Sequence, residues 1–297
     1  MEPQTLEDEA AVVGCWLPNA RTPCTFSIAL GRQRLTANSQ KKPTFAGLLN
    51  PALTILQTVS PVRFQVVVPC YNPSEGWEQA LADNFAAFTL AISDLSGAIG
   101  LIVVNDGSAT SITETTIQRL RTLVPSVEVV SYQKNRGKGY ALRQGVQAAD
   151  ADFVLVTDID FPYTVESMQR VAETLLAEGG IAAGNRDTAY YAHVPVFRRW
   201  LSKGLRWLLR YVLRQPIDDS QCGLKGFDRT GKAIFLETTI DRFLFDLEFL
   251  MLANGRVPVR PVPVELRPGV VFSSVGWKIL LAEGGNFLRL FFRRFFQ

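Results

Sequence analysis

The sequence predicts an α/β protein built on a doubly wound, mostly parallel sheet with helices on both faces. From residue 62 onward short β-branched runs alternate with amphipathic helical stretches, each long enough to cross between parallel strands. The apolar runs end in polar segments, and an open parallel sheet places its ligand site at those strand ends. Strands are read over Arg63–Val68, Gly100–Asn105, Val127–Tyr132 and Phe153–Thr157, with a fifth strand pattern leading into Gly184-Asn185-Arg186. Helical patterns fall at about 75–95, 110–123 and 138–149. After residue 229 come a helix at about 242–254, a Pro-punctuated extended stretch over 256–268 and a final amphipathic helix. Residues 1–60, rich in Pro, Asn, Gln and Thr, lack this rhythm and read as a partly irregular extension.

Composition removes several classes of function. At 47% hydrophobic and 20% charged residues the 297-residue chain is globular and not disordered throughout. Cys15, Cys24, Cys70 and Cys222 lie far apart, without metal-ligand or redox spacing, so they read as reduced, buried thiols of a cytosolic protein. The single histidine, His193, cannot make a histidine metal site, and a Ser-His-Asp triad could be built only around it. Glu2, Glu7, Asp8 and Glu9 precede any apolar run, the opposite of a secretory signal. Residues 43–62 carry no charge, but Pro43, Pro51 and Pro61 interrupt them, so no spanning helix is expected.

The residues after each strand carry the chemistry. The first strand ends in Val68-Pro69-Cys70-Tyr71-Asn72-Pro73 and the second in Asn105-Asp106-Gly107-Ser108. The third leads to Asn135-Arg136-Gly137-Lys138-Gly139 and the fourth ends in Asp158-Ile159-Asp160. Taken singly, each reads equally well as a turn, because Asn, Asp, Gly and Pro favour turns for conformational reasons alone. Asp158 and Asp160, one residue apart in an extended segment, put two carboxylates on one side. There one can hold sugar hydroxyls and the other a hard cation such as Mg2+ or Mn2+. Gly137 and Gly139 would let the backbone approach a phosphate.

Taken together and in this order, the four motifs resemble the inverting glycosyltransferases of the GT-A fold, glycosyltransferase family 2, over roughly residues 62–250. The resemblance implies a GT-A domain over 61–270, with a nucleotide-sugar half (61–185) and an acceptor half (186–270). It places Pro69, Tyr71, Asn72, Asp106 and Gly107 about the nucleotide, with Lys138 near the diphosphate, Asp158 on the sugar and Asp160 on the metal. Lipid-phosphate mannosyltransferases of the family often carry a further polar ligand where Pro162 stands, so coordination here is expected from Asp160, water and the diphosphate. Asp219-Ser220-Gln221-Cys222-Gly223-Leu224-Lys225-Gly226-Phe227 and Arg242-Phe243-Leu244-Phe245-Asp246-Leu247-Glu248 look closest to the dolichyl- and polyprenyl-phosphate β-glucosyltransferases, which typically have Phe at the Leu224 position. That likeness assigns Asp219, Gln221 and Lys225 to the floor of the active site, and Asp246 with Glu248 to a helix facing it. Asp246 and Glu248 read alternatively as a solvated helix face. The catalytic set implied is Asp158, Asp160, Asp219, Lys225 and Asp246.

A phosphate-monoester acceptor is largely ionised at neutral pH and asks for cations more than for a base. Arg186, Arg198, Arg199, Gln221 and Lys225 are the residues expected to hold it. The function read from these features is transfer of a hexose, glucose from UDP-glucose, to a polyprenyl phosphate with inversion. A transferase acting on a sugar hydroxyl, with Asp246 as base, and a catalytically inactive nucleotide-sugar-binding membrane adaptor are the alternatives. Retention of Asp158, Asp160 and Lys225 argues against the adaptor.

Charge is concentrated in two segments. Residues 198–214 hold six basic residues and no acid, and residues 277–297 hold four basic residues and one acid. Since the whole chain has 31 bases and 28 acids, the remainder is net negative. Arg199, Lys203, Arg206, Arg210 and Arg214 form one stripe of a helix whose apolar face holds Leu201, Leu205, Leu208 and Val212, with Trp200, Trp207 and Tyr211 near its border. Phe287-Leu288-Arg289-Leu290-Phe291-Phe292-Arg293-Arg294-Phe295-Phe296 repeats the pattern. Such helices suit the surface of an anionic membrane, and packing on the core or on a second subunit is the other way to cover them. Nucleic-acid binding leaves the interleaved Leu and Trp unexplained. The expected location is therefore peripheral, on the cytoplasmic face of a membrane, with 271–297 as a membrane-associating helix.

Overall fold

The computed structural model describes residues 63–94, 98–186, 219–270, 284–287, 289, 290 and 292, all within the compact unit Val59–Gln297. The extension over 1–60 and the basic helix read at 198–214, with Arg198 and Arg199, lie outside the described residues.

The chain runs β1 (Arg63–Cys70), α1 (Trp77–Ala91), β2 (Ala98–Asp106), α2 (Glu114–Leu123), β3 (Val127–Tyr132), α3 (Lys138–Ala148) and β4 (Phe153–Val156). It continues through α4 (Val165–Glu178), β5 (Ile181–Arg186), β6 (Lys225–Asp228), α5 (Arg229–Leu236), α6 (Phe245–Ala253) and β7 (Val259–Val264). The strands form one seven-stranded sheet in the order β3-β2-β1-β4-β6-β5-β7. Neighbours are parallel except at β6, which runs antiparallel to both β4 and β5. The expected mostly parallel sheet is therefore present. Helix α4, strand β6 and helix α5 add to the elements read from the sequence, and the extended stretch after residue 256 contains β7.

The sheet is buried on both faces, as its near-continuous apolar strands require. Successive side chains of a strand point to opposite sides, so Val66 and Val68 of β1 join the core beneath α1, α2 and α4, whereas Val67 joins the core beneath α3, α5 and α6. Helix starts are set by local chemistry. The Thr113 side chain accepts the Thr116 N–H at the start of α2, Thr164 accepts from Ser167 at α4, and Asp228 accepts from Thr230 and Gly231 at α5.

Two topological facts position the site. The chain leaves β1 toward β2 on one side and returns to β4 on the other, and the loops at such a switch point part to leave a crevice at the carboxyl edge. Because β6 is antiparallel, with Lys225 opposite Val156, its amino end and the preceding loop Asp219–Leu224 reach that same edge.

The last helix departs from expectation. Among the described residues 284–287, 289, 290 and 292 are helical. Leu290 is only 3% exposed and Phe287 is partly buried, both in the core beneath α3, α5 and α6, while Phe292 is 54% exposed. This segment is thus not given wholly to a membrane surface, because one of its faces completes the core. Among the described residues no helix is long and apolar enough to cross a membrane. Leu290→Ala is expected to lower the unfolding free energy by about 2–5 kcal/mol, whereas Arg289→Ala on the exposed side should leave it within about 0.5 kcal/mol, as read by urea denaturation.

Candidate active site

At the end of β2, Asp106 is buried, and both its carboxylate oxygens are filled from within the chain. Oδ1 accepts from the Tyr132 hydroxyl at 2.8 Å and the Arg136 N–H at 2.7 Å, and Oδ2 from Asn135 Nδ2 at 2.8 Å and the Gly137 N–H at 2.9 Å. Four donors occupy the acceptor capacity of a carboxylate. Direct hydrogen bonding of Asp106 to a nucleotide would have to displace one of them, so its evident work is to shape the loop between β3 and α3. Gly107, with φ 70, lies against that loop, and a Cβ there would fall 2.5 Å from the Asn135 nitrogen, which excludes every other residue.

The glycines of the loop meet neighbouring backbone. A Cβ on Gly137 would fall 2.6 Å from the Asp241 carbonyl oxygen, and one on Gly139 would overlap the Ile240 carbonyl. The close approach seen at these glycines is to the backbone before α6. The Tyr140 N–H donates to Asp241 O at 3.1 Å, and Arg136 and Arg143 both pair with the Asp241 carboxylate. Arg136 also lies over the Tyr140 ring, 3.9 Å from its centroid, a cation–π contact.

The loop after β1 is clasped to the one after β2. The Asn72 N–H donates to Ser108 Oγ at 2.9 Å, and Asn72 Oδ1 accepts from the Ala109 N–H at 3.1 Å. Asn72 holds a φ of 44, a conformation Asn tolerates better than most residues. Pro69 is half-buried in β1. Tyr71 is 54% exposed, its ring open to the carboxyl edge.

The acidic pair after β4 is a turn and not the extended segment expected. The Phe161 N–H donates to the Asp158 carbonyl at 3.0 Å, and Phe161, buried, adopts φ 46. A bulky residue in this left-handed region costs energy that its surroundings must supply. Asp158 pairs with Lys138 Nζ at 2.5 Å. Burial on its own would lower the Lys138 pKa, but the Asp158 and Asp246 charges outweigh it and hold the ammonium above its ordinary value. Gly223 leaves room beside this pair, since a Cβ there would lie 2.9 Å from Asp158 Oδ2. Asp160 is exposed. Partial enclosure, and then the negative charge of Asp158, raise its carboxyl pKa.

Below these residues Lys225 is completely buried, 0% exposed. Its Nζ donates to Asp246 Oδ1 at 2.7 Å, to Ser220 O at 3.1 Å and to Cys222 O. Three donors and three acceptors leave nothing for an acceptor phosphate, and the phosphate contact read for Lys225 is corrected to a structural one. Asp246 is buried too, so the helix face carrying it is not solvated. Burial raises its carboxyl pKa, against the pull of Lys225 and Lys138. Glu248, equally buried, accepts from the Thr239 N–H and hydroxyl and the Ile240 N–H, fixing the turn that presses on Gly139.

Arg186 and Asp219 form a two-pronged pair, with Nε donating to Oδ2 at 2.6 Å and Nη2 to Oδ1 at 2.8 Å. Fork geometry of this kind is strong and directional. Burial alone would lower the Arg186 pKa, but its bonds and attraction to Asp219 more than reverse that. Tyr163, missed in the sequence reading, reaches the same loop. Its hydroxyl accepts from the Gly223 N–H at 2.9 Å and the Cys222 Sγ–H at 3.3 Å. Burial, followed by the Asp219 charge, raises the Cys222 thiol pKa and keeps it protonated. Gln221 Nε2, Ser220 Oγ and Thr157 Oγ1 are buried polar atoms without a partner among the described residues. The structure therefore assembles Lys138, Asp158, Asp160, Arg186, Asp219, Gln221, Lys225 and Asp246 at one edge, with Asp106 and Asn72 shaping its rim.

Among the described residues no cluster of three or more His, Cys, Asp or Glu could hold a metal by itself. Asp160 nevertheless suits a hard cation. It is an exposed carboxylate that carries a second negative charge at its side and makes no ion pair among the described residues, and Mg2+ commonly takes one or two carboxylates and completes its shell with phosphate and water.

An open α/β sheet with an acidic turn after β4 and an antiparallel strand feeding the same edge defines a GT-A fold. It matches the solved mannosyl-3-phosphoglycerate synthase from Rubrobacter xylanophilus with a TM-score of 0.50 at 15% identity, over 80% of this chain and 75% of that one. Residues 65–242 match the model for glycosyl transferase family 2, and the chain belongs to that family. It is 27% identical over 215 residues to a dolichyl-phosphate β-glucosyltransferase of Dictyostelium discoideum, a match covering 68% of this chain and 66% of that protein. It is 28% identical over 216 residues to the human protein of the same name, with the same coverages. The chain thus spans just under two thirds of the length of these curated relatives.

Removing one partner of the buried pair should be costly. Lys225→Met leaves the Asp246 charge uncompensated and is expected to destabilise the fold by about 3–5 kcal/mol. Lys225→Met combined with Asp246→Leu should recover most of that loss. Chemical denaturation of the two variants checks this, and a double variant no more stable than the single one would contradict it.

Proposed function

We propose that the chain transfers glucose from UDP-glucose to the phosphate of a dolichyl or other polyprenyl phosphate, with inversion and with Mg2+ or Mn2+, working peripherally at the cytoplasmic face of a membrane. One observation carries the choice of acceptor. Among the described residues, Asp158, Asp219 and Asp246 are each held in an ion pair, and Asp106 is filled with hydrogen bonds. Of the described aspartates gathered at this edge, Asp160, the proposed metal ligand, is the one outside such a pair or network. A hydroxyl acceptor needs a base to remove its proton, whereas a phosphate monoester, with a second pKa of about 6, arrives largely ionised. The names borne by the relatives point to the same acceptor.

In this reading Tyr71 lies against the base and the clasped loops at Asn72 and Gly107 form the nucleotide rim, held in shape by Asp106. Lys138 faces the diphosphate while Asp158, anchored by it, takes hydroxyls of the sugar. Asp160 would hold the cation, which when bound neutralises charge on the departing diphosphate. Gln221, whose Nε2 has no partner among the described residues, would donate to the acceptor phosphate, and Arg186 would add positive charge there; Arg198 and Arg199, expected to do the same, lie outside the described residues. An acceptor oxygen attacks the anomeric carbon, the bond to the diphosphate breaks and UDP leaves. Catalysis rests on placement and charge neutralisation.

Incubation of the full chain with labelled UDP-glucose, dolichyl phosphate and Mn2+ should move label into an organic-extractable lipid, and both Asp160→Ala and chelation should abolish transfer. Label appearing only on a water-soluble sugar acceptor would overturn the lipid-phosphate reading. Asp106→Ala, which frees the loop between β3 and α3, should weaken UDP binding. Unchanged affinity in calorimetric titration would remove that loop from the nucleotide site.

A further inference from the structure

The turn that bears Asp160 is held by a residue far along the chain. Beyond Val264, the end of β7, the chain meets the segment after the turn. The Thr164 N–H donates to Glu265 O at 3.0 Å, Tyr163 and Leu266 form an antiparallel bridge, and the Arg267 N–H donates to Pro162 O at 2.8 Å. This short ladder delivers the Arg267 side chain to the turn. One Nη donates to Asn84 Oδ1 on α1 at 2.5 Å and the other donates to the main-chain carbonyl of Asp160. The Nε has no acceptor among the described residues, and the two Nη bonds place the guanidinium.

The arrangement meets a need of the turn. Its closing hydrogen bond is single, and Phe161 is held at φ 46, a conformation that persists only where the surroundings impose it. With the Asp160 carbonyl released, rotation at residues 160 and 161 would swing the carboxylate that faces the cation. Arg267 also sets a positive charge near Asp160 and lowers its pKa in part, without forming an ion pair with it among the described contacts.

We propose that Arg267 is a positioning residue of the metal site, fixing the Asp160 carboxylate through the turn's backbone with Asn84 as its anchor. The inference rests on the reading of Asp160 as the metal ligand. Groups that orient a ligand from behind commonly change metal affinity by about 10–100-fold when removed.

Mn2+ binding to the full chain in the presence of UDP, followed by the electron paramagnetic resonance of free Mn2+, tests it. Arg267→Gln should weaken Mn2+ binding by about 10–100-fold while the thermal midpoint changes little and metal-free UDP affinity is kept. Arg267→Lys should be weakened as well, because one ammonium does not reproduce a planar fork spanning two acceptors. Asn84→Ala should shift Mn2+ affinity in the same direction by a smaller factor. Should Arg267→Gln lose its cooperative thermal transition, Asn84→Ala decides by the same readout. Unchanged Mn2+ affinity in a folded Arg267→Gln, against a wild type that binds, would overturn this inference alone. A wild type that binds no Mn2+ would overturn the metal reading on which it rests.

Discussion

The ion pair between Lys225 and Asp246 sits where three parts of the molecule meet. Lys225 opens β6, Asp246 lies in the first turn of α6, and the carbonyls of Ser220 and Cys222 that share the ammonium belong to the loop Asp219–Leu224 that precedes β6. Bringing two charges into a site so nearly closed to solvent is unfavourable unless each is compensated. That constraint fixes the loop, the strand end and the helix relative to one another. Above the pair Lys138 feels Asp246 as well as Asp158, so cation and anion alternate from the buried lysine outward to the acidic turn. The floor of the site is therefore an ordered sequence of charges, and exposed Asp160 stands at its outer end.

A second constraint is steric. The loop between β3 and α3 is pressed by Gly107 from one side and by the segment before α6 from the other, and Gly107, Gly137 and Gly139 are the positions where backbone meets backbone. Asp106 and Glu248 complete this packing by accepting main-chain N–H groups on either side of it. Carboxylates used in this way rigidify a rim without touching a ligand, since a buried N–H must find an acceptor somewhere.

Much of this was legible beforehand. The strands from β1 to β4 and the helices between them follow from apolar periodicity, and the polar strand ends marked the carboxyl edge that holds the site. Helix α4, strand β6 and helix α5 were not read; Lys225–Asp228 is a four-residue strand lying inside a motif that draws attention for its chemistry. The packing of Gly137 and Gly139 on the segment before α6 was not legible, because nothing local distinguishes one close neighbour from another. Tyr163 and Arg267 left only faint signals, an aromatic residue three beyond Asp160 and an Arg-Pro-Gly at the end of the Pro-punctuated stretch.

Residue type and local pattern determined which groups could do chemistry and at which edge of which strands they stand, because hydrophobic periodicity and turn residues act over a few positions. Partnership was decided by the tertiary structure. Lys225 meets Asp246 across 21 residues, Arg186 meets Asp219 across 33 and Arg267 meets the Asp160 carbonyl across 107. Such contacts depend on the order, direction and register of strands, and above all on the antiparallel entry of β6. No local pattern in a single chain specifies those. A carboxylate free to bind a metal and one neutralised by a buried cation look alike until the fold has chosen their neighbours.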